Sequence, residues 1–215
     1  MEDRDQKFQL VAQDVVYFTS SVKNPGEGQL SEFLSFLKFF GIRPPIMFNY
    51  LSPSGGLIPN LNLRSNIILD SVATICREDR IELEKILAEH SNPFLKLLLN
   101  NIENIDGKSR EVSPRDRKLA AIIKTFVKKM PFVFLEYPEK HLLLEDMEIF
   151  KNLLAQASLM GPSIYLLLTH EAHYFSELIT KQACRTPEDR SFIVENLPRQ
   201  KTVPGLRFLG VSNNN

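Results

Sequence analysis

Two uninterrupted apolar runs, Phe132-Val133-Phe134-Leu135 and Ile164-Tyr165-Leu166-Leu167-Leu168, constrain this chain more than any other feature. A strand with one wet face alternates apolar and polar side chains. A strand that is apolar throughout must be covered on both faces, which is the condition of a parallel strand in the middle of a sheet with helices above and below. A third run, Val15-Val16-Tyr17-Phe18-Thr19, is β-branched and aromatic and reads as another buried strand. All three are far too short to cross a bilayer.

The intervening segments supply the helices such a sheet needs. After Val15–Thr19 comes turn chemistry, Asn24-Pro25-Gly26-Glu27-Gly28. Apolar residues then recur at helical spacing through Leu30, Phe33, Leu34, Phe36, Leu37 and Phe40, closed by Gly41 with Pro44 and Pro45 beyond. Residues 46–50 read as a strand and 52–63 as a Pro/Gly/Asn-rich loop. From 65 to about 101 the pattern is helical, with no good strand, and 105–113 is a polar link. Residues 118–129 form an amphipathic helix with a basic face, 142–157 a helix, and 173–181 a helical stretch; Phe192 and Val194 suit a short strand, and 211–215 is expected to fray. Strand, glycine turn and helix in that order open many nucleotide-binding α/β folds. The expected architecture is α/β: one domain over 1–215 built on a mostly parallel sheet flanked by helices, with a helical subdomain over 65–110.

Charge and cysteine usage narrow the function classes. Lys+Arg and Asp+Glu both number 26, so the net charge is zero, which gives no electrostatic case for nucleic acid as the main partner. A zero balance also removes one guard against association, which is compatible with a partner subunit. Cys76 and Cys184 are far apart and no C-x-x-C occurs, so neither a disulfide framework nor a zinc site is expected. Residues 1–7 are highly charged and lack the apolar core of a signal peptide. A cytoplasmic location follows as an expectation, with any membrane attachment made through a partner.

At Val112 the sequence becomes more specific. Val112-Ser113-Pro114-Arg115-Asp116-Arg117-Lys118-Leu119-Ala120-Ala121-Ile122 resembles the signature of the ABC transporter ATP-binding subunits, L-S-G-G-Q followed by a basic helix. Phe132 to Pro138, F-V-F-L-E-Y-P, looks like their Walker B segment, in which four apolar residues precede D-E-P. Thr169-His170 is similar to the H-switch, at the family's distance from Glu136. Gly56 to Ile67 is similar to the segment that leads from the Q-loop into the helical subdomain, with Asn49 in the place of the Q-loop glutamine. The matches run in the family's order from about Phe8 to Glu177. The resemblance implies a P-loop NTPase-like fold with a helical subdomain, and head-to-tail pairing of two such domains.

The departures from that pattern decide the expected function. A phosphate-cradling loop reads G-x-x-x-x-G-K-[ST], because glycines let backbone N–H groups approach the phosphates, the lysine neutralises them and the hydroxyl holds Mg²⁺. Here Gly28-Gln29-Leu30 stands where G-K-[ST] belongs, with Gly26 before it and Ser31 after it, and no neighbouring register places a lysine before Ser or Thr. Glu27 adds a negative charge, and Pro25 removes one N–H donor. Glu136 replaces the Mg²⁺-binding aspartate. Tyr137 replaces the glutamate that polarises water, and a phenol of ordinary pKa near 10 is a poor base at neutral pH. Pro114 and Arg115 replace the two signature glycines, between Ser113 and Asp116. His170 remains, either as the family's γ-phosphate contact or as a strand-end histidine in local hydrogen bonds.

Other chemistries are weaker on the same residues. His170-Glu171-Ala172-His173 misses H-E-x-x-H because position 174 is Tyr174. Glu136, Glu139, Glu145, Asp146 and Glu148 suit either a divalent ion or a solvated helix N-terminus. The basic face of Arg115, Arg117, Lys118, Lys124, Lys128 and Lys129 suits DNA backbone, anionic lipid or plain solvent. Cys184 beside Lys181 and Arg185 lacks a partner for nucleophilic chemistry, and Ser163 and Ser176 lack a G-x-S-x-G context. The expected function is a catalytically inactive ABC-type ATPase homologue, with ATP and Mg²⁺ not expected as cofactors. It would pair with itself or with an active ABC ATPase, and through that with a membrane permease. The alternatives are an ABC-like DNA-binding assembly protein and a weakly active ATPase with an atypical site.

Overall fold

The apolar runs become neighbouring parallel strands at the centre of one sheet. The computed structural model describes residues 9–19, 29–69, 83–186 and 191–197. Along the chain lie β1 (Val15–Thr19), α1 (Leu30–Phe39), β2 (Phe48–Leu51), α2 (Leu63–Ile68), α3 (Leu83–Glu89), α4 (Phe94–Asn100), α5 (Pro114–Val127), β3 (Phe132–Glu136), α6 (Leu144–Met160), β4 (Ile164–Leu168), β5 (Lys181–Arg185) and β6 (Phe192–Asn196). The six strands are ordered β2-β3-β4-β1-β5-β6. All neighbours are parallel except β5 and β6, which run antiparallel. The register sets Glu136 beside Leu168 and Leu51 beside Leu135, which brings the carboxyl ends of β2, β3 and β4 level with one another.

Strand pleating divides the core in two. Val15, Val133, Leu135, Tyr165 and Leu167 point to one face, where α5 and α6 and the shorter helices α2 to α4 cover them. Val16, Phe18, Phe134, Leu166 and Leu168 point to the other, against α1. That second layer is aromatic: Phe18 meets Phe33 and Phe36 edge-on at 5.2 and 4.7 Å, and Phe33 stacks on Phe134 at 5.0 Å. Leu63, Ile67, Leu83, Leu95 and Leu98 belong to the same core as the sheet residues: α2 rests on α5, α4 rests on α5 and α6, and α3 packs on α2 and α4, within one continuous apolar mass.

Three elements differ from the sequence reading. Residues 173–181, expected to be helical, form turns and then open β5 at Lys181. Lys181 is buried and ion-paired with buried Asp14, an arrangement that a lysine-led, nearly polar pentapeptide does not advertise. α5 begins at Pro114, four residues before the expected 118. Ser113 caps it, its hydroxyl accepting from Asp116 N at 3.0 Å, and proline suits the first helical position. The long helical pattern from 65 onward breaks into α2, α3 and α4, with 70–82 outside the described residues. Cys76 and the 211–215 tail also lie outside them.

Candidate functional site

In open parallel sheets, ligands sit beyond the carboxyl ends of the strands. Here that edge is formed by the ends of β2, β3 and β4 and the start of α1, and its centre is Glu136. The side chain is fully buried. Both carboxylate oxygens accept from the backbone N–H of Gln29, each at 3.2 Å, and the Tyr50 hydroxyl donates to Oε2. Gln29 is the N-cap of α1 and makes no side-chain capping bond, and Glu136 meets the amide end of this ten-residue helix. A helix N-terminus of this kind attracts anions, and this one is occupied by the chain's own carboxylate. Burial, and then the hydrogen bond and charge of Glu136, push the Tyr50 phenol well up, so it stays protonated as the donor. Ser31 is exposed on the first turn of α1, where its carbonyl accepts from Ser35 Oγ at 2.7 Å. Gly26 and Gly28 lie outside the described residues.

Around Glu136 the site is acidic and phenolic. Tyr137 follows it in the left-handed region at φ 43°, a conformation that bulky side chains rarely hold. Its N–H donates to Leu168 O at 2.7 Å, and its ring stacks on His170 with centroids 4.5 Å apart. His170 is held in turn by its backbone N–H on Glu139 Oε1 at 2.9 Å. Burial raises the Tyr137 phenol, and the charges of Glu136, Glu139 and Glu32 and the Tyr17 phenol raise it further. The same burial lifts Glu32, against the pull of Arg185. Glu32 Oε1 and Glu139 Oε2 are buried without a hydrogen-bond partner among the described residues. The strand edge thus gathers a phenol kept protonated and the three carboxyl groups of Glu32, Glu136 and Glu139.

Not every residue singled out in the sequence reaches this site. Asn49 lies near the start of β2, and its amide donates to Thr125 O and Lys128 O, both at 2.7 Å, tying the end of α5 to the sheet. Tyr50 takes the position beside Glu136 instead, a residue the motif spacing did not flag. Arg115 turns away to α6. It forms a fork on fully buried Asp146, 2.7 Å from Nε to Oδ2 and 2.9 Å from Nη2 to Oδ1, with Glu145 3.2 Å away. Asp116 is buried and accepts from Glu103 N at 3.3 Å, while Ser113 and Pro114 are exposed at the start of α5. Asp146 also accepts from Asn101 at 2.9 Å and from Leu143 N at 3.1 Å. Burial opposes its ionisation, but these bonds, led by Arg115, hold its carboxyl below the usual range. The acidic stretch after β3 therefore splits, with Asp146 structural and Glu145 and Glu148 at the surface. His173 is exposed, and among the described residues no three metal-type side chains come together.

Apart from this site, a cavity of about 410 Å³ opens between the 52–59 loop and the start of α5. Gly55, at φ 90°, lets the loop lie on the helix: a Cβ there would sit 3.2 Å from Ala121 Cβ. Arg110, Arg117, Lys118, Lys140 and His141 line the cavity, and no acid does among the described residues. Lys118 is 1% exposed, although the sequence suggested a solvated basic face. The missed signal is its spacing, since Lys118, Ile122 and Phe126 follow one another at i, i+4 and i+8 along the buried stripe of α5.

No family model matches the chain, and no curated protein matches it. Solved structures do. The chain is 14% identical to an ATP-binding cassette seen as a dimer in a post-hydrolysis state with ADP and Pi, covering 88% of each chain at a TM-score of 0.61. It is 14% identical to an ATP-binding subunit of an ABC transporter, covering 82% of this chain and 76% of that one at 0.60. It is also 14% identical to cbiO1 of Clostridium perfringens, part of the ABC transporter complex cbiONQ, covering 80% and 73% at 0.54. These likenesses establish the fold as that of the ABC ATPases, a P-loop NTPase architecture. Among the described residues no helix is long and apolar enough to cross a membrane.

Proposed function

We propose that this chain is an ABC-type ATPase homologue that neither hydrolyses ATP nor depends on it, and that it serves as a structural or regulatory subunit. One observation carries the reading: the Glu136 carboxylate lies on the Gln29 amide, at the helix terminus where this fold receives phosphate. An anionic phosphate entering there must displace a carboxylate and remain beside Glu32 and Glu139. Repulsion between charges a few ångströms apart in a shielded site is worth several kcal/mol. The absence of a Lys-[Ser/Thr] pair in 23–31 and the protonated Tyr137 point the same way.

The partner in this reading is a second ABC-type ATPase, either a copy of this chain or an active relative, joined through it to a permease. Structural neighbours that are cassette dimers and transporter subunits support it. Nothing specific favours the DNA-binding alternative, because the basic residues of α5 do not all share one groove: Arg115 faces Asp146, and Lys118 is buried at the floor of the cavity that Arg117 borders. Calorimetry with ATP and Mg²⁺, followed by phosphate release, tests the catalytic half. The expected result is no turnover, and no ATP binding that Gln29→Ala or Glu136→Ala removes. Tight binding with turnover, abolished by Gln29→Ala or Glu136→Ala, would overturn it. Affinity capture of the full chain from membranes tests the partner half, with a permease or an ABC ATPase expected in the complex.

A further inference from the structure

The cationic cavity beside α5 lies apart from the Glu136 site and has no role in the reading above. Its volume falls within the range of small-molecule sites, roughly 300–1,000 Å³. Of its four lysines and arginines, Arg110 shares its charge with Glu111, 3.3 Å away, and Arg117 makes one long bond to Ser109 O at 3.4 Å. Lys140 is exposed at the mouth. Lys118 forms the floor, and its ammonium donates to Ser52 O at 3.2 Å. Burying a lysine is expensive, and burial pulls this one down to about 8, against the charges of Glu139 and Glu136 behind it. A lone carbonyl does not require a cation, since an amide or hydroxyl would satisfy it. The field at His141 is positive as well: after burial, Lys140, Lys118 and Arg117 are what depress its protonation.

We propose that this cavity binds a small soluble molecule bearing two or more phosphate groups. Guanidinium forks match phosphate oxygens in geometry, and lysines supply point charge at the floor and mouth. A single carboxylate would leave most of the positive charge uncompensated, whereas a clustered phosphate anion balances it. The neutral imidazole of His141 offers one further hydrogen bond.

The test is a calorimetric titration of the full chain with tripolyphosphate at fixed ionic strength near neutral pH. Saturable binding at one site per chain is expected. Lys140→Ala, Arg117→Ala and Lys118→Met should each weaken it tenfold or more, and inorganic phosphate should bind at least tenfold more weakly. Lys140 is exposed, so its variant folds even if Lys118→Met does not. Arg64→Ala, a cation outside the cavity that pairs with Glu84 and Asp106, should leave binding unchanged. No binding at millimolar tripolyphosphate, or equal binding by all the cavity variants, would refute the proposal. Loss in Glu136→Gln alone would move the anion to α1 and refute it equally. Duplex DNA that binds through the same cations where tripolyphosphate does not would replace it with a nucleic-acid surface. ATP turnover at the other site would not bear on it.

Discussion

Replacing Lys118 with methionine should make this protein more stable. The ammonium is 1% exposed and is held at about 8 against an ordinary 10.5, chiefly by burial. At about 1.4 kcal/mol per pH unit, that difference places about 3 kcal/mol of penalty on the folded state near neutral pH. Methionine fills a similar volume with no charge to desolvate. It also loses the bond to Ser52 O, worth about 1 kcal/mol. The net gain is about 2 kcal/mol, or roughly 4–8 °C in Tm for a chain of this length. The sign can be followed with pH. The unfolded chain binds the extra proton between about 8 and 10.5, so the wild type gains stability as pH rises through that window. The variant's advantage is full below pH 8 and gone above 10.5. Urea unfolding of both proteins at pH 7 and at pH 10.5 measures it. A variant less stable at pH 7, or one with the same advantage at both pH values, would refute the account of Lys118 as a buried charge retained at the expense of stability.

Other residues give predictions of either sign. Arg115→Ala should destabilise by about 3 kcal/mol, because it leaves buried Asp146 without its fork. Asp146 is depressed in the fold, so its contribution is present above the ordinary value of 3.8 and is lost as pH falls through the lower folded value; acid titration of Arg115→Ala by circular dichroism should show that dependence reduced. Glu136→Ala should lower stability by about 2 kcal/mol or more, since Gln29 N and the Tyr50 hydroxyl lose their acceptor inside the protein, and the urea midpoint reports it. Glu32 has the opposite sign: its folded pKa is raised, so its contribution is full below about 4.5 and is lost as pH rises through the higher folded value. Glu32→Gln should therefore be more stable than the wild type at pH 7 and no more stable at pH 4.

Much of the fold was legible because its signals are local. Continuous apolar runs gave β1, β3 and β4, and the 3.6-residue spacing gave α1 and α6. β5 was not legible, because its burial depends on Lys181 meeting Asp14, 167 positions away. Of the candidate site, the resemblance to the ABC ATP-binding subunits implied that Glu136, Tyr137 and His170 lie together, and the ring of Tyr137 does stack on that of His170. It did not anticipate Tyr50, which joins the site through the pairing of β2 with β3. Asn49, one residue earlier on the same strand, points the other way and binds α5 instead.

The order of buried strands and amphipathic helices, and hence an α/β domain with a parallel sheet, follows from the sequence alone, because side-chain periodicity states how many faces of each segment must be covered. Whether a charge lies in water, in an ion pair or under a loop was decided only by the tertiary structure. Arg115, Arg117 and Lys118 are neighbours in the chain, yet one is locked to Asp146, one borders a cavity and one is buried beneath it. Chain packing brought the partners that set those fates from as far as 31 and 66 residues away.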